Sequence, residues 1–208
     1  VEVFDGAGWV AQGRIQTIAA KSAQISIEQV YPKSPDSPPL ILCLGALKGN
    51  SWDELLPALV ELGVDALHLF LPEGVAKQRV SHNTQERWHR ILLASVKQCK
   101  RPRMPTITSW SHSTALLEEV KFPSQTQRWL LAPEARQPLG EGVIPMHPTA
   151  LVVGSEKGLS SQEQTQFTQA GFVPVSMGTS ILRATTAAIG AAAVLSQCRF
   201  HASAKGLR

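Results

Sequence analysis

Two short stretches hold the residues whose types and spacing suit them for chemistry: VVGSEKGLSSQE at 152–163 and SMGTSILRATTA at 176–187. In each, an apolar run stops at a glycine, Gly154 in the first and Gly178 in the second. Glycine has no Cβ, so backbone N–H and C=O groups can approach a bound cofactor closely there. The plainer alternative is an ordinary strand-to-helix turn. Neither GSEKGLS nor the earlier GALKGNS ends in the Gly-Lys-Ser/Thr of a phosphate-cradling loop, which argues against that kind of site. Arg183 follows the second glycine closely, and a guanidinium at that place could orient an acceptor and stabilise charge developing on it. The alternative for Arg183 is a solvated or salt-bridged cation.

Lys97, Lys100, Arg101 and Arg103 form a basic cluster suited to phosphates, although a basic helix end is commonly a solvated face. For Arg101 a second role is open, as a cation favoured by a helix C-terminal dipole. His82 and His89 lack a carboxylate partner pattern, and Cys43, Cys99 and Cys198 are odd in number and far apart. No metal is expected from either set, and the cysteines suit a reducing compartment.

Positioning those loops requires particular elements. Residues 150–153 form an apolar strand, Ser160 and Glu163 have capping-box spacing for a helix, and Gly171 suits its stop. Residues 172–177 form a second β-rich run, after which Thr179 or Ser180 can cap a small-residue helix beginning near Ile181. The two loops are then expected side by side at one edge of a parallel sheet, where open α/β sheets bind ligands. Upstream, 40–44 reads as a buried strand. Ser51 and Glu54 repeat the capping-box spacing before Leu55, Leu56, Leu59 and Val60, with Pro57 as a source of local kinking. A strand is expected at 65–71. A helix is expected at 84–100, carrying Trp88, Ile91, Leu92, Val96 and Cys99 on one side and ended by Pro102. A short helix at 113–120 and a strand at 127–131 follow. This alternation of strand and helix predicts a mainly parallel α/β sheet covered on both faces.

The N-terminal region has a different pattern. Residues 1–4, the Asp5-Gly6 turn and residues 9–18 read as a hairpin, with 23–31 as a further strand, together suggesting a small β-barrel. The proline-rich YPKSPDSPP makes a stiff linker, dividing the chain into 1–36 and 37–208. Of the 208 residues, 43% are hydrophobic and 17% charged, with a formal net charge of +4. That composition is ordinary for a globular protein and permits an anionic partner without demanding one. No apolar run approaches the roughly 20 residues of a membrane helix and no signal-peptide pattern opens the chain, so a cytoplasmic protein is expected.

Four blocks, in order along the chain, resemble the RsmE-type ribosomal RNA methyltransferases of the SPOUT superfamily. VGSEKGLSSQE looks like the family's IGPEGG-LT-x-x-E loop, and MGTSILRATTA like its LG-x-R-ILR-T-E-T-A loop. In the middle region, Lys48, Gly49, Glu61, Leu62, Gly63 and Val64 match one block, and Arg87, Trp88, Gln98, Arg101, Pro105 and Ile107 another. The resemblance implies a SPOUT-type sheet with a C-terminal trefoil knot around S-adenosylmethionine. It also makes the small barrel a PUA-like RNA-binding domain lacking about two dozen preceding residues, an estimate from the family pattern rather than from chain reach.

By the same resemblance the chain methylates N3 of a uridine in 16S ribosomal RNA, alone or in the assembled small subunit. It would act as a homodimer packed through the small-residue run 187–193, without a metal. Arg183 becomes the catalytic residue, because loss of the N3 proton spreads negative charge onto the uracil carbonyl oxygens. Leu131, Ala132, Gly154, Glu156, Gly158, Met177, Gly178, Ile181 and Leu182 become cofactor contacts, and Lys48, Arg101 and Arg103 RNA contacts. The sequence departs from the family pattern at Ser155 and Lys157 in the first loop and at Ser180, Ala184 and Thr185 in the second. Arginine at 180 and glutamate at 185 would form a charge pair able to orient Arg183. Their replacement keeps open a non-catalytic RNA-binding or assembly protein, and a methyltransferase for another RNA position.

Overall fold

Short apolar runs separated by amphipathic segments build two sheets of different character. A computed structural model describes residues 1–35, 37–47, 49, 51–75 and 80–205, the last six as backbone only. Strands β1 (Glu2–Phe4), β2 (Trp9–Ala19) and β3 (Ser22–Pro32) form an antiparallel sheet in that order. Asp5 makes the first turn by accepting the Ala7 and Trp9 N–H groups at 2.7 and 3.0 Å. Val10 is buried in this sheet, whereas Val3, Trp9, Ile15, Ile27 and Val30 are exposed.

The second sheet contains β4 (Leu40–Gly45), β5 (Ala66–Phe70), β6 (Thr106–Trp110), β7 (Gln127–Leu131), β8 (Thr149–Val153) and β9 (Val173–Val175). Its order is β6-β5-β4-β8-β7-β9, and every pairing is parallel. The central strands β4 and β8 are buried along their full length, as continuous apolar runs in a sheet covered on both faces must be. Side chains alternate between two cores. Leu40, Leu42 and Leu44 meet α1 (Ser51–Glu61), α2 (His82–Gln98) and α5 (Ala184–Lys205). Ile41 and Cys43 face the other way, with Leu116 of α3 (Ser113–Glu119) and Phe167 of α4 (Ser161–Gln169).

Several boundaries differ from those expected. Strand β6 was not foreseen, although Thr106, Ile107, Thr108 and Trp110 are strand-favouring residues. Helix α2 opens at His82 after a Ser81 cap, and its chain turns at Lys100, with φ 58°, before Pro102 is reached. Helix α5 opens only at Ala184, so neither Thr179 nor Ser180 caps it. The Arg183 carbonyl instead accepts the Ala187 N–H at 2.8 Å. Pro57 is accommodated within α1.

At the N-terminal edge of the parallel sheet, Asp65 joins several elements. Its Oδ2 accepts the Leu40 N–H at 2.8 Å and its backbone carbonyl accepts that of Thr106 at 3.1 Å. Its Oδ1 accepts from Arg101 at 2.8 Å, while Arg101 also donates to the Val60 and Val64 carbonyls at 2.8 and 2.9 Å. Arg101 thus serves the C-terminal end of α1. Removing this half-buried ion pair strands protein acceptors, so Arg101→Ala is expected to lower unfolding free energy by about 2–3 kcal/mol. Urea titration checks this, with Arg87→Ala, at an exposed pair with Asp53, expected to cost about 0–1 kcal/mol.

His68 on β5 accepts the Trp110 indole N–H through Nδ1 at 3.2 Å, linking β5 to the edge strand β6. Burial lowers its pKa below the ordinary 6.5. The unfolded chain therefore takes up this proton first on acidification. Stability from neutral His68 is full above 6.5 and is lost as pH falls from there through the depressed folded value. Denaturant unfolding at pH 7 and pH 5 is expected to show this loss, and His68→Asn to lack that component.

Candidate functional site

The C-terminal ends of β7, β8 and β9 surround a cavity of about 350 Å³. Strands β8 and β9 are not neighbours, because β7 lies between them, so the glycine loops meet across the end of β7 rather than from adjacent strands. Leu131 and Ala132 from that end form the floor between them. The first loop contributes Gly154 to Leu159, and the second contributes Met177, Gly178, Ser180, Ile181 and Leu182.

Local packing explains the shape of the first loop. Gly158 N–H donates to the Ser155 carbonyl at 2.9 Å, closing a tight turn. A Cβ on Gly154 would lie 2.5 Å from the Gly158 carbonyl carbon, so only glycine permits the turn to fold back this closely. The turn leads into α4 through a complete capping box. Ser160 Oγ accepts the Glu163 N–H at 3.1 Å and Glu163 Oε2 accepts the Ser160 N–H at 2.8 Å. In the second loop Gly178 has φ 125° and open space where a Cβ would stand. That backbone conformation is strained for any other residue.

All nine residues expected to touch a cofactor, Leu131, Ala132, Gly154, Glu156, Gly158, Met177, Gly178, Ile181 and Leu182, line this one cavity. Ile181 is 87% exposed and α5 starts only at Ala184, so Ile181 and Leu182 are loop residues at the cavity, not the first turn of a helix. Pro133, Ser155, Lys157, Leu159, Gln164 and Ala187 also line it, and the sequence pattern had not singled them out as contacts. The lining mixes apolar side chains and bare glycine backbone with polar groups from Ser155, Glu156, Lys157, Gln164 and Ser180, which suits a small ligand with both apolar and polar parts. Among the described residues, no three His, Cys, Asp or Glu side chains cluster as metal ligands.

Arg183 is exposed and stands between the lining residues Leu182 and Ala184 without lining the cavity itself. Its side chain has no hydrogen bond or ion pair among the described residues. Arg101 is turned inward on its three protein acceptors, and Arg103 donates to the Ala7 carbonyl at 2.6 Å. Arg103 packs so closely on Gly8 that a Cβ there would lie 2.3 Å from the guanidinium carbon. Both arginines therefore join protein elements instead of standing free at the cavity. Lys48 lies outside the described residues. In the small-residue run, Ala188, Ala191 and Ala192 are buried within the chain itself.

A larger groove of about 920 Å³ runs along β6 beside α2 and Gly6, lined by Trp88, His89, Thr108 and Trp110 among others. None of the nine converging residues lies in it. Size alone therefore does not pick out the site.

The parallel sheet with two loops closing over its C-terminal edge lies within the part of the chain that matches the family model of an RNA methyltransferase domain. Residues 34–196 match the family model of that description, and the chain belongs to that family. Within it, the chain is 30% identical to ribosomal RNA small subunit methyltransferase E of Synechocystis sp., over 89% of this chain and 61% of that protein. The chain thus spans about three fifths of that relative's length. It is also 30% identical to the protein of the same name from Mesomycoplasma hyopneumoniae, over 78% of this chain and 71% of that one. The crystal structure of the corresponding Neisseria gonorrhoeae enzyme bound to S-adenosyl methionine superposes with a TM-score of 0.81. That pair is 26% identical, covering 95% of this chain and 82% of that one. These relatives place the chain in the RsmE-type group expected from its four motif blocks.

Because Ser160 both caps α4 and ends the cavity loop, Ser160→Ala is expected to cost about 1–2 kcal/mol in denaturant unfolding.

Proposed function

We propose that the chain is an S-adenosylmethionine-dependent methyltransferase acting on N3 of a uridine in 16S ribosomal RNA. The observation that carries this is the convergence of nine residues from three strand ends on one cavity. The similar Neisseria gonorrhoeae enzyme, whose structure holds S-adenosyl methionine, supports the choice of cofactor. When bound, the cofactor supplies an activated methyl group. Gly154, Gly158 and Gly178 offer backbone to its polar edges, and Leu131, Ala132, Ile181 and Leu182 cover its apolar surface. Arg183, exposed beside the cavity, meets the uracil and stabilises the negative charge spread onto its carbonyl oxygens when solvent takes up the N3 proton. The target base leaves its stack to reach this place. Catalysis then rests on positioning and charge stabilisation.

The same reading includes a SPOUT-type C-terminal knot, a PUA-like small domain over 1–36 that docks RNA, and a catalytic domain over 37–208. It also includes a homodimer working in the cytoplasm. The three antiparallel strands before the Pro-rich linker support the division. No helix among the described residues is long and apolar enough to cross a membrane.

One observation favours a second reading. With Ser180 and Thr185 in place of a charge pair, Arg183 has no side-chain partner to orient it among the described residues. A paralogue that keeps the fold and cofactor but only binds RNA, or assists subunit assembly, would tolerate this; so would one that methylates another RNA position.

Calorimetric titration with S-adenosylmethionine is expected to show saturable binding that Gly178→Trp abolishes. Methyl transfer to small subunits is expected to fall about 10²- to 10³-fold in Arg183→Ala. Transfer unaffected by Arg183→Ala, or absent from the unaltered chain despite cofactor binding, would favour the second reading. Nucleoside analysis of the product identifies the modified base.

A further inference from the structure

The N-terminal end of α4 carries more than its own capping box. Glu73, in the segment after β5, reaches it from 87 positions away in sequence and makes two contacts. Its carboxylate Oε2 accepts the Ser160 hydroxyl at 2.5 Å, and its backbone N–H donates to Glu163 Oε1 at 3.1 Å. The Ser160 hydroxyl is thereby used in both senses, accepting from the Glu163 N–H and donating to Glu73. Glu163 is 3% exposed, and its two oxygens are divided between Ser160 N–H and Glu73 N–H. Between Ser160 and β8 lie Gly154 to Leu159, the residues that form one wall of the cavity. The wall is held at one end by the sheet and at the other by these four hydrogen bonds among three residues.

We infer that Glu73 is a positioning residue for the cofactor wall, a role that rests on the cofactor reading above. It touches neither the cavity nor any reacting atom. It acts by fixing the hydroxyl rotamer of Ser160 and holding the buried Glu163 carboxylate in its capping orientation. A charge-assisted bond of this kind is among the stronger ones available to a side chain. Without it, the 154–159 turn remains closed but its far end becomes free to shift relative to the ends of β7 and β9.

The test compares Glu73→Ala and Glu73→Gln with the unaltered chain. Both keep the backbone N–H, and glutamine restores an oxygen acceptor for Ser160. Hydrogen exchange without cofactor is expected to quicken about tenfold or more at the amides of 156–160 in Glu73→Ala, and to return near the original rate in Glu73→Gln. The dissociation constant for S-adenosylmethionine is expected to rise about tenfold in Glu73→Ala and to recover in Glu73→Gln. In the transfer assay the KM for S-adenosylmethionine is expected to rise while the KM for small subunits holds. A general loss of fold would instead lower kcat at constant KM. Unchanged exchange at 156–160 in Glu73→Ala would overturn the inference, as would unchanged cofactor affinity in a chain that binds it. If the unaltered chain binds no cofactor, the proposed function fails, and the exchange measurement alone still decides whether Glu73 positions the wall.

Discussion

The structure depends first on one carboxylate. Asp65 receives the first N–H of β4 on one oxygen and the Arg101 guanidinium on the other, while Arg101 reaches two carbonyls at the end of α1. Arg199 of α5 is 4% exposed, and burial lowers its pKa, with Asp65 opposing that shift and Arg101 adding to it. It donates to Ser37 Oγ and to the Pro38 carbonyl in the linker, so the last helix, the linker and the sheet share this charged knot of groups. The arrangement sits at the N-terminal edge of the parallel sheet. The cavity lies at the opposite edge, where strand ends and loops are free to face a ligand. The ion-paired and backbone-bonded groups that hold the elements together thus lie at one edge, and the glycine loops of the cavity at the other.

Much of the second edge was legible in the sequence. The apolar runs at 40–44, 127–131 and 150–153 became strands, and the Ser160–Glu163 spacing became a capping box with both bonds formed. Such signals are local: a cap or a buried run needs only residues a few positions apart. The glycines were legible for the same reason, since their places follow from the ends of those runs. Ile181 and Leu182 were misplaced into a helix because apolar residues before an alanine-rich segment have the same pattern whether they start a helix or face a cavity. Strand β6 was missed because its polar threonine and serine, following Pro105, dilute the apolar run that marks an interior strand.

The long-range partners were not legible at all. Nothing near Arg101 in sequence announces Val60, Val64 or Asp65, and nothing near Arg103 announces the Ala7 carbonyl or the bare Gly8 against which it packs. A cluster of cations in a sequence has the same composition whether it faces phosphates or folds back on carbonyls. Only the tertiary contacts separate these roles. Arg183 is the converse case, a cation that the fold leaves exposed beside a cavity.

The strand order has a consequence for how the chain is made. Strand β4 pairs with β5 on one side, only a short distance along the chain, but its other edge waits for β8, with Leu40 opposite Thr149. During synthesis β4, β5 and β6 can assemble early, and that half-sheet then presents a fully apolar strand with an unpaired edge until the second half emerges. An open edge of this kind templates association with other chains. The central strand that is buried along its full length in the finished sheet is thus a strand whose second edge is paired only once β8 arrives.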